Sequence, residues 1–519
     1  MFKSNSRLLK VLSMVLCLSM LLSLTGLAAI AEEDSSKVVV ALASDPQNIG
    51  PFQGMSQGRI GILYTTYEFL VANIGGDMKG VMMKDYTMID DLTYQCEIYD
   101  YIYDQAGNQV TASDVAFCYN TAIASGNLPK LGSIESITVV SDYVVEFKFT
   151  NLAIGDLCAL WMECPIVTQA SYEASADQMA TDPVTTSAYQ CVEYVSGSKM
   201  VFEDLGKYWQ TDDSLVQSTS KHNVGTIQFD IVSDSAQRTN ALKTKAIDVT
   251  NWLADADIVD FQGVEGYQVS QIPDNVTNFL LFNCDEEKGV FANNVKLREA
   301  VAYAIDKEML LEGAYSGNGK VVKTWGNTKY ADYQASWDEE EYFSYDLEKA
   351  MGLMAESGVS SLDIKLMYIS TDEATKMATI IQALLMPMNI NVTLCPYDQQ
   401  LANEYKYKPE EWDLLLDQGG STSYLVNVWK LGWDASGYVH GGAENFVKDE
   451  TLQNLLNVAL GIETHNDESM DAFHQYLKEQ CYGVGLVQNM GNIAHTTKIT
   501  NVVVDARGQV TPGACNYAN

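Results

Sequence analysis

Basic residues are scarce in this chain. Its 519 residues include 32 Lys and Arg against 68 Asp and Glu, which gives a formal net charge of −36. Nucleic-acid binding depends on neutralising phosphates with cations, and adhesion to an anionic membrane surface depends on clusters of Lys and Arg. The charge balance therefore argues against both kinds of partner, although it says little about the fold.

The residues that usually build metal and redox sites are few and scattered. None of the five histidines lies within four residues of another, and the ten cysteines include no Cys-x-x-Cys pair. Zinc sites usually draw ligands from such local pairs. The acidic runs lack the spacing of a calcium loop, and no Gly-x-x-x-x-Gly-Lys phosphate loop occurs. We therefore expect no metal and no cofactor, and most cysteines should be buried thiols.

Long hydrophobic runs are missing after the first 31 residues. A basic start and an uncharged run over residues 11–29 precede small residues at Ala29 and Ala31, and an acidic stretch follows. This order is typical of a secretory signal peptide, although a run of this length could also stay in the membrane as an anchor. We interpret residues 1–31 as a signal peptide and expect a secreted, extracytoplasmic chain.

A catalytic constellation is also lacking, with one weak exception. Gly54 and Gly58 flank Ser56 in the pattern Gly-x-Ser-x-Gly, which marks the nucleophile of some serine hydrolases. That turn needs a strand running directly into it, but the nearest predicted strand ends around Ala43 and Pro51 intervenes. A secreted hydrolase that uses Ser56 is kept as an alternative, and we expect no enzyme activity and no catalytic residue.

Periodic patterns nevertheless predict an α/β fold. The first half is β-rich, with a strand at 38–43 and hairpins at 137–149 and 189–203. In the second half, strands predicted at 362–368 and 390–394 flank an apolar helix pattern. Strand, helix and strand within about 33 residues indicate a βαβ unit, and hence a parallel pair with a right-handed crossover.

One segment combines the features of a ligand-binding loop. A buried strand predicted at 414–416 runs into a stretch with two glycines and three hydroxyl side chains. In open α/β sheets, ligands bind beyond the carboxyl ends of strands. Glycines permit close backbone approach, hydroxyls donate or accept hydrogen bonds, and two tryptophans that follow could supply apolar walls. The alternative is an ordinary surface loop. The predicted ligand-binding residues are Gly419, Gly420, Ser421, Thr422, Ser423, Tyr424, Trp429 and Trp433.

Five segments share, in chain order, the motifs of one known family. Residues 104–117 read DQAGNQVTASDVAF, residues 297–307 read LREAVAYAIDK, and residues 345–350 read YDLEKA with Gly358 after them. These stretches are similar to DGxxVTAxDVxF, RxAxxYAID and YDxEKA of the large extracytoplasmic solute-binding proteins of ABC importers, in the peptide/nickel-binding (family 5) group. The other similarities are Ser187-Ala188-Tyr189, Gly197-Ser198-Lys199 and Tyr208-Trp209, which follow the family order GPY, G, YW, and the stretch from Arg238 to Val249, which resembles its helix ending in GxxD.

This resemblance implies a two-lobed, periplasmic-binding-protein-like α/β fold, with an enlarged first lobe and a ligand cleft between lobes joined by hinge strands. It places the first lobe in residues 32–280 and 483–519, with an inserted β-rich subdomain at about 76–184, and the second lobe in residues 281–482. The hinge strands are expected near 276–284 and 481–488.

The resemblance also implies the function. Such a protein captures a peptide-like or other small polar solute and delivers it to the permease subunits of an ABC importer. The expected partners are a small-molecule or oligopeptide ligand and those permease subunits, with no nucleic acid, and we expect a monomer. A ligand sensor of the same fold, with a receptor as its partner, is a further alternative that the sequence does not separate.

One departure from the family concerns the ligand. Peptide-binding members often place an Asp after the strand that here ends near Gln418, where it holds the ligand's amino group. The run from Gly419 to Ser423 contains no acid, and no histidine pair supports nickel binding. We therefore predict poor binding of ligands through a free amino terminus, unless Asp417 or Asp434 reaches in from either side.

Overall fold

The computed structural model describes most of the chain. The described residues are 37–54, 57–251, 253–273, 276–326, 328–420, 424–435 and 444–518. The predicted signal peptide and Ser56 lie outside these ranges. Within them, every helix is too short or too polar to span a bilayer.

Helices and strands alternate along the described residues. The helices are α1 Gln57–Ile60, α2 Leu63–Thr66, α3 Ala112–Ser125, α4 Asp156–Trp161, α5 Gln169–Ala174, α6 Ser235–Lys243, α7 Val295–Ala304, α8 Lys307–Tyr315, α9 Leu347–Glu356, α10 Asp372–Leu385, α11 Gln399–Tyr405, α12 Leu425–Trp433, α13 Glu450–Leu460 and α14 Asp467–Gln480. Short 3-10 helices occur at Pro129–Ser133, Ser218–Ser220, Asp255–Asp260, Ala335–Glu339, Met386–Met388 and Pro512–Ala514.

The strands are β1 Lys37–Leu42, β2 Val71–Ile74, β3 Asp77–Gly80, β4 Met83–Asp90, β5 Thr93–Ile98, β6 Ile134–Ser141, β7 Val144–Phe149, β8 Tyr189–Val195, β9 Lys199–Asp204, β10 Thr226–Ile231, β11 Val249–Thr250, β12 Tyr267–Pro273, β13 Thr277–Phe282, β14 Gly319–Val321, β15 Leu362–Ile369, β16 Ile390–Tyr397, β17 Leu414–Gly419, β18 Gly483–Thr496, β19 Ile499–Thr500 and β20 Asn516–Tyr517. Both predicted hairpins form, as β6–β7 and β8–β9.

A 12-stranded sheet organises the molecule. Its order is β16-β15-β17-β13-β18-β11-β1-β10-β9-β8, with β12 and β14 also paired to β18. The 14-residue strand β18 pairs antiparallel with β13 over its first part and with β12 over its second part. β12, β13 and β18 therefore lie next to one another in this sheet, and strands form at both expected crossing positions.

The predicted βαβ unit is confirmed. β15 and β16 pair in parallel from Leu362↔Ile390 to Ile369↔Tyr397, with α10 between them in the chain. β17 adds to the other edge of β15, also in parallel. β17 and β13 then pair antiparallel, with Gly419 opposite Thr277. The carboxyl end of β17 thus lies beside the start of β13.

The apolar core is divided into separate clusters. The large core takes its residues from 279–487, together with Ala153. The N-terminal core takes its residues from 52–179 and packs against the four-stranded sheet β4-β5-β7-β6. Two smaller clusters surround β1 and its neighbours. The nine cysteines of the described residues are free, and all except Cys395 are buried.

The two ends of α8 show what local signals predict. The sequence predicts that Asp306 caps the helix that follows it, and its carboxylate accepts from Met309 N at 3.0 Å at the start of α8, which confirms the cap. The sequence predicts that α8 stops near Gly313, but the helix continues to Tyr315. A Cβ on Gly313 would lie 2.4 Å from Cδ1 of Ile380 in α10, so glycine here permits close helix packing rather than ending the helix.

Candidate functional site

The predicted ligand-binding segment begins at the carboxyl end of β17. A Cβ on Gly419 would lie 3.0 Å from Cε1 of Phe279 and 3.1 Å from Cγ1 of Val428, so this position favours glycine. Gly420 is exposed directly after the strand. The three hydroxyl residues, Ser421, Thr422 and Ser423, lie outside the described residues.

Tyr424 meets a distant part of the chain. Gly155 precedes α4 with φ +80°, and a Cβ there would lie 2.5 Å from Cδ2 of the Tyr424 ring. The Asn427 side-chain amide donates to Ile154 O at 3.0 Å, and Ile154 N donates to Leu460 O at 2.9 Å. The end of the predicted segment therefore lies where residues 153–156 pack against the large core.

The N-terminus of α12 already has an anionic partner. The two Asp332 carboxylate oxygens accept from Leu425 N at 2.7 Å and from Val426 N at 3.1 Å. Burial raises the pKa of Asp332 above its usual value, and these two N–H groups oppose that shift. Because an anion at a helix N-terminus is favourable, Asp332 fixes the start of α12 and occupies donors that a ligand would otherwise meet.

Trp429 and Trp433 are placed differently from the expectation that they form apolar walls. They are only 1% and 3% exposed. The Trp429 indole N–H donates to Trp325 O at 3.1 Å, and the rings of Trp325 and Trp433 meet edge to face with centroids 4.7 Å apart. Both follow the helical spacing of a core stripe, and the structure buries that stripe. They support α12 from inside the large core.

Asp417, the acid that could have reached a ligand amine, belongs to a buried ion cluster. Its carboxylate lies 3.5 Å from the ammonium of Lys406, which also lies 2.7 Å from Glu444. Asp434, the other acid considered, is buried at the C-terminal end of α12. Burial and the neighbouring Asp417 raise the pKa of Glu444 to about 7, against the opposing effect of Lys406.

This cluster predicts a pH dependence of stability. The ordinary pKa of Glu444 is 4.5 and its folded pKa is about 7, so between these values the folded state holds a proton that the unfolded state releases. The contribution of Glu444 to the free energy of unfolding is therefore fully present below pH 4.5, and it is lost as the pH rises through 7. Between pH 5 and pH 8, the difference in the free energy of unfolding should shift by about 2 kcal/mol in favour of Glu444→Gln over the unsubstituted protein. Urea unfolding at both pH values measures this shift.

The matched control for this measurement is Glu404→Gln. Glu404 is 59% exposed and pairs with Lys408 on the surface. Its substitution should change stability by a similar small amount at both pH values, since exposed pairs contribute little. A difference between Glu444→Gln and the unsubstituted protein that stays constant from pH 5 to pH 8 would contradict the assignment.

Sequence reasoning missed the residues that meet Tyr424 and α12. Gly155, Asn427 and Asp332 carry no motif and lie far apart in the chain. The pairing of the predicted segment with residues 153–156 depends on how the large core and the N-terminal core meet. No local pattern points to Asp332, which accepts from the start of α12 although it lies 93 residues earlier in the chain.

Comparison with solved structures defines the class of protein. AppA from Clostridium difficile is similar with a TM-score of 0.79 and 15% identity, over 93% of this chain and 100% of that chain. HbpA2 from Haemophilus parasuis is similar with a TM-score of 0.80 and 16% identity, again over 93% and 100%. These are two-lobed binding proteins with mixed α/β structure, and the chain has this fold.

Comparison of sequences then gives the family. The family description "Bacterial extracellular solute-binding proteins, family 5 Middle" matches residues 77–437, and the chain belongs to this family. The dipeptide-binding protein of Escherichia coli is 23% identical over 52% of this chain and 50% of that protein. The chain therefore spans about half the length of that relative. The nickel-binding protein NikA of Staphylococcus aureus is 23% identical over 83% of this chain and 84% of that protein.

Proposed function

We propose that this chain captures a peptide-like or other small polar solute outside the cytoplasm and delivers it to the permease subunits of an ABC importer, with no catalytic step. The observation that carries the proposal is the position of the segment 419–424. Gly419 is the last residue of the buried strand β17, and Tyr424 lies where residues 153–156 contact the large core. Membership of the solute-binding family supports the same conclusion.

The capture mechanism follows from the sheet. The first lobe comprises residues 32–280 and 483–519, the second lobe comprises 281–482, and β13 and β18 act as hinge strands between them. A ligand between the lobes makes its full set of contacts only when they close, so it shifts the population toward the closed form. The permease then recognises closure rather than the ligand itself. The working form is a secreted monomer without residues 1–31.

The ligand contacts are assigned to the backbone of Gly419 and Gly420, to the hydroxyls of Ser421–Ser423 and to Tyr424. Two carboxylates near this segment already have partners. Asp417 pairs with Lys406, and Asp332 accepts from the N-terminus of α12. This arrangement favours neutral or longer ligands, whose ends need no charged partner at this end of the cleft.

The direct test compares matched peptides with free and acetylated amino termini. We expect N-acetylated peptides to bind at least as tightly as free ones by titration calorimetry, because burying an unpaired ammonium costs several kcal/mol. Mass spectrometry of ligand that co-purifies with the protein supplies the peptide lengths to use. If free amines bind tenfold tighter, about 1.4 kcal/mol, a carboxylate clamps the amine and the assignment is wrong.

A further inference from the structure

A pocket of about 490 Å³ opens at the hinge, away from the segment 419–424. Its lining combines Ile258, Val259 and Gln262 with Gln271 of β12, residues 315–320 and Met490 of β18. This volume lies within the roughly 300–1,000 Å³ of sites that bind small molecules. We call it the hinge pocket.

The hinge pocket lies on the opposite face of β13 from the candidate ligand segment. Successive side chains of a strand point to opposite faces. The Phe279 ring approaches Gly419, whereas the side-chain amide of Asn278 donates to the Tyr315 hydroxyl at 3.1 Å. Tyr315 lines the hinge pocket, so the two sites are separated by the strand itself.

The lining of the hinge pocket includes residues that precede the proposed crossing between the lobes and residues that follow it. The Gln271 amide donates to Asn318 Oδ1 at 2.5 Å, and the Asn318 amide donates to Met490 O at 3.3 Å. Gln271 comes before the crossing to β13, and Asn318 comes after it. A change in the angle between the lobes would therefore change the width of this pocket.

The chemistry of the lining favours an organic anion. Lys320 is its one charged side chain, in a chain with 68 acidic and 32 basic residues. Lys320 is exposed, and a Cβ on the neighbouring Gly317 would lie 2.9 Å from Oε1 of Glu312. Val259 is 72% exposed beside the pocket, so an apolar group is left without a packing partner.

We propose that the hinge pocket binds a small carboxylate with a short apolar chain, and that this ligand acts on the hinge. The carboxylate lies against the Lys320 ammonium and accepts from the Gln262 amide. The apolar chain covers Val259 and Met490. Charge and apolar surface occur together here, so a ligand with one anionic end and one apolar end matches the lining.

Hexanoate is the probe for this site. Titration calorimetry should give saturable binding with a dissociation constant of about a millimolar. Lys320→Met removes the charge and keeps an apolar stem, and it should weaken hexanoate binding about tenfold. Lys376→Met makes the same change at an exposed position of α10 and should leave binding unchanged. Equal binding by the Lys320 and Lys376 variants would overturn the proposal, as would no saturable binding.

Two further measurements address the ligand class and the hinge. Hexanamide, the neutral analogue, should bind several-fold more weakly than hexanoate, and equal binding would overturn the choice of an anion. Saturating hexanoate should change the radius of gyration measured by small-angle scattering in the unsubstituted protein but not in Lys320→Met. An unchanged radius in both would overturn the action on the hinge. None of these results depends on a ligand in the cleft, so they test this site separately from solute capture.

Discussion

Replacing Arg298 with Met is expected to reduce the free energy of unfolding by about 3–5 kcal/mol. Arg298 lies in α7, is 1% exposed, and donates to the backbone carbonyls of Phe291, Ala292 and Gln480. Its guanidinium also lies 4.9 Å from the centre of the Tyr482 ring. Met retains the apolar stem but removes the guanidinium donors from these carbonyls, of which that of Phe291 is buried. Urea unfolding at neutral pH measures the loss.

Lys296→Met on the same helix is the control. Its ammonium is half exposed and pairs with Glu299 at 3.0 Å, so its loss should cost less than about 1 kcal/mol. Arg298→Lys keeps a charge but has fewer donors in a different geometry, and it should fall between the two Met variants. If Arg298→Met unfolds within 1 kcal/mol of the Lys296 variant, the carbonyls find other donors and Arg298 does not tie α7 to the chain before β18.

Arg298 explains why the family could be predicted from sequence. The motif of residues 297–307 contains the arginine that donates to three backbone carbonyls and the aspartate that caps α8. The Tyr-Trp motif has a similar role, because Tyr208 and Trp209 both donate to the buried carboxylate of Glu68. Such residues stabilise the fold, and this role does not depend on which ligand is bound. The motifs therefore predict the architecture and leave the ligand open.

The spacing of apolar residues predicted helices and strands because each of them buries its apolar side chains. β15, α10 and β16 each bury one face or both, and the spacing of their apolar residues shows it. α8 ends at Tyr315, two residues beyond the predicted stop near Gly313, because a glycine can serve two purposes. Gly313 looks like a helix terminator, but its missing side chain makes room for Ile380, and only the packed structure separates these uses.

The candidate site was predictable only in part. The end of β17 could be placed because a glycine pair after a buried strand is a local pattern. The burial of Trp429 and Trp433 could not be predicted, since a helical stripe of aromatic residues has the same sequence pattern whether it faces a core or a cleft. The contact between Tyr424 and Gly155 joins two distant stretches of chain and has no pattern in either of them.

Replacing Gly155 with Val should weaken capture of the cleft ligand by tenfold or more, about 1.4 kcal/mol. A Cβ at this position would lie 2.5 Å from the Tyr424 ring and 3.1 Å from Nδ2 of Asn427. The added methyl groups hold residues 153–156 away from α12, and opening the lobes relieves the overlap. Titration calorimetry with the co-purifying ligand measures affinity, and small-angle scattering should show a larger radius at saturation than in the unsubstituted protein.

The control separates this steric effect from backbone strain. Gly155 has φ +80°, where a side chain is strained by about 1 kcal/mol even without a neighbour. Gly107 has φ +90° with nothing within 4 Å of its Cβ position, so Gly107→Val introduces similar strain and no overlap. Both variants should lose a similar amount of thermal stability, but only the Gly155 variant should lose affinity. If Gly107→Val binds as weakly, or Gly155→Val closes fully, residues 153–156 do not form a closing contact and the cleft must be sought elsewhere on the sheet.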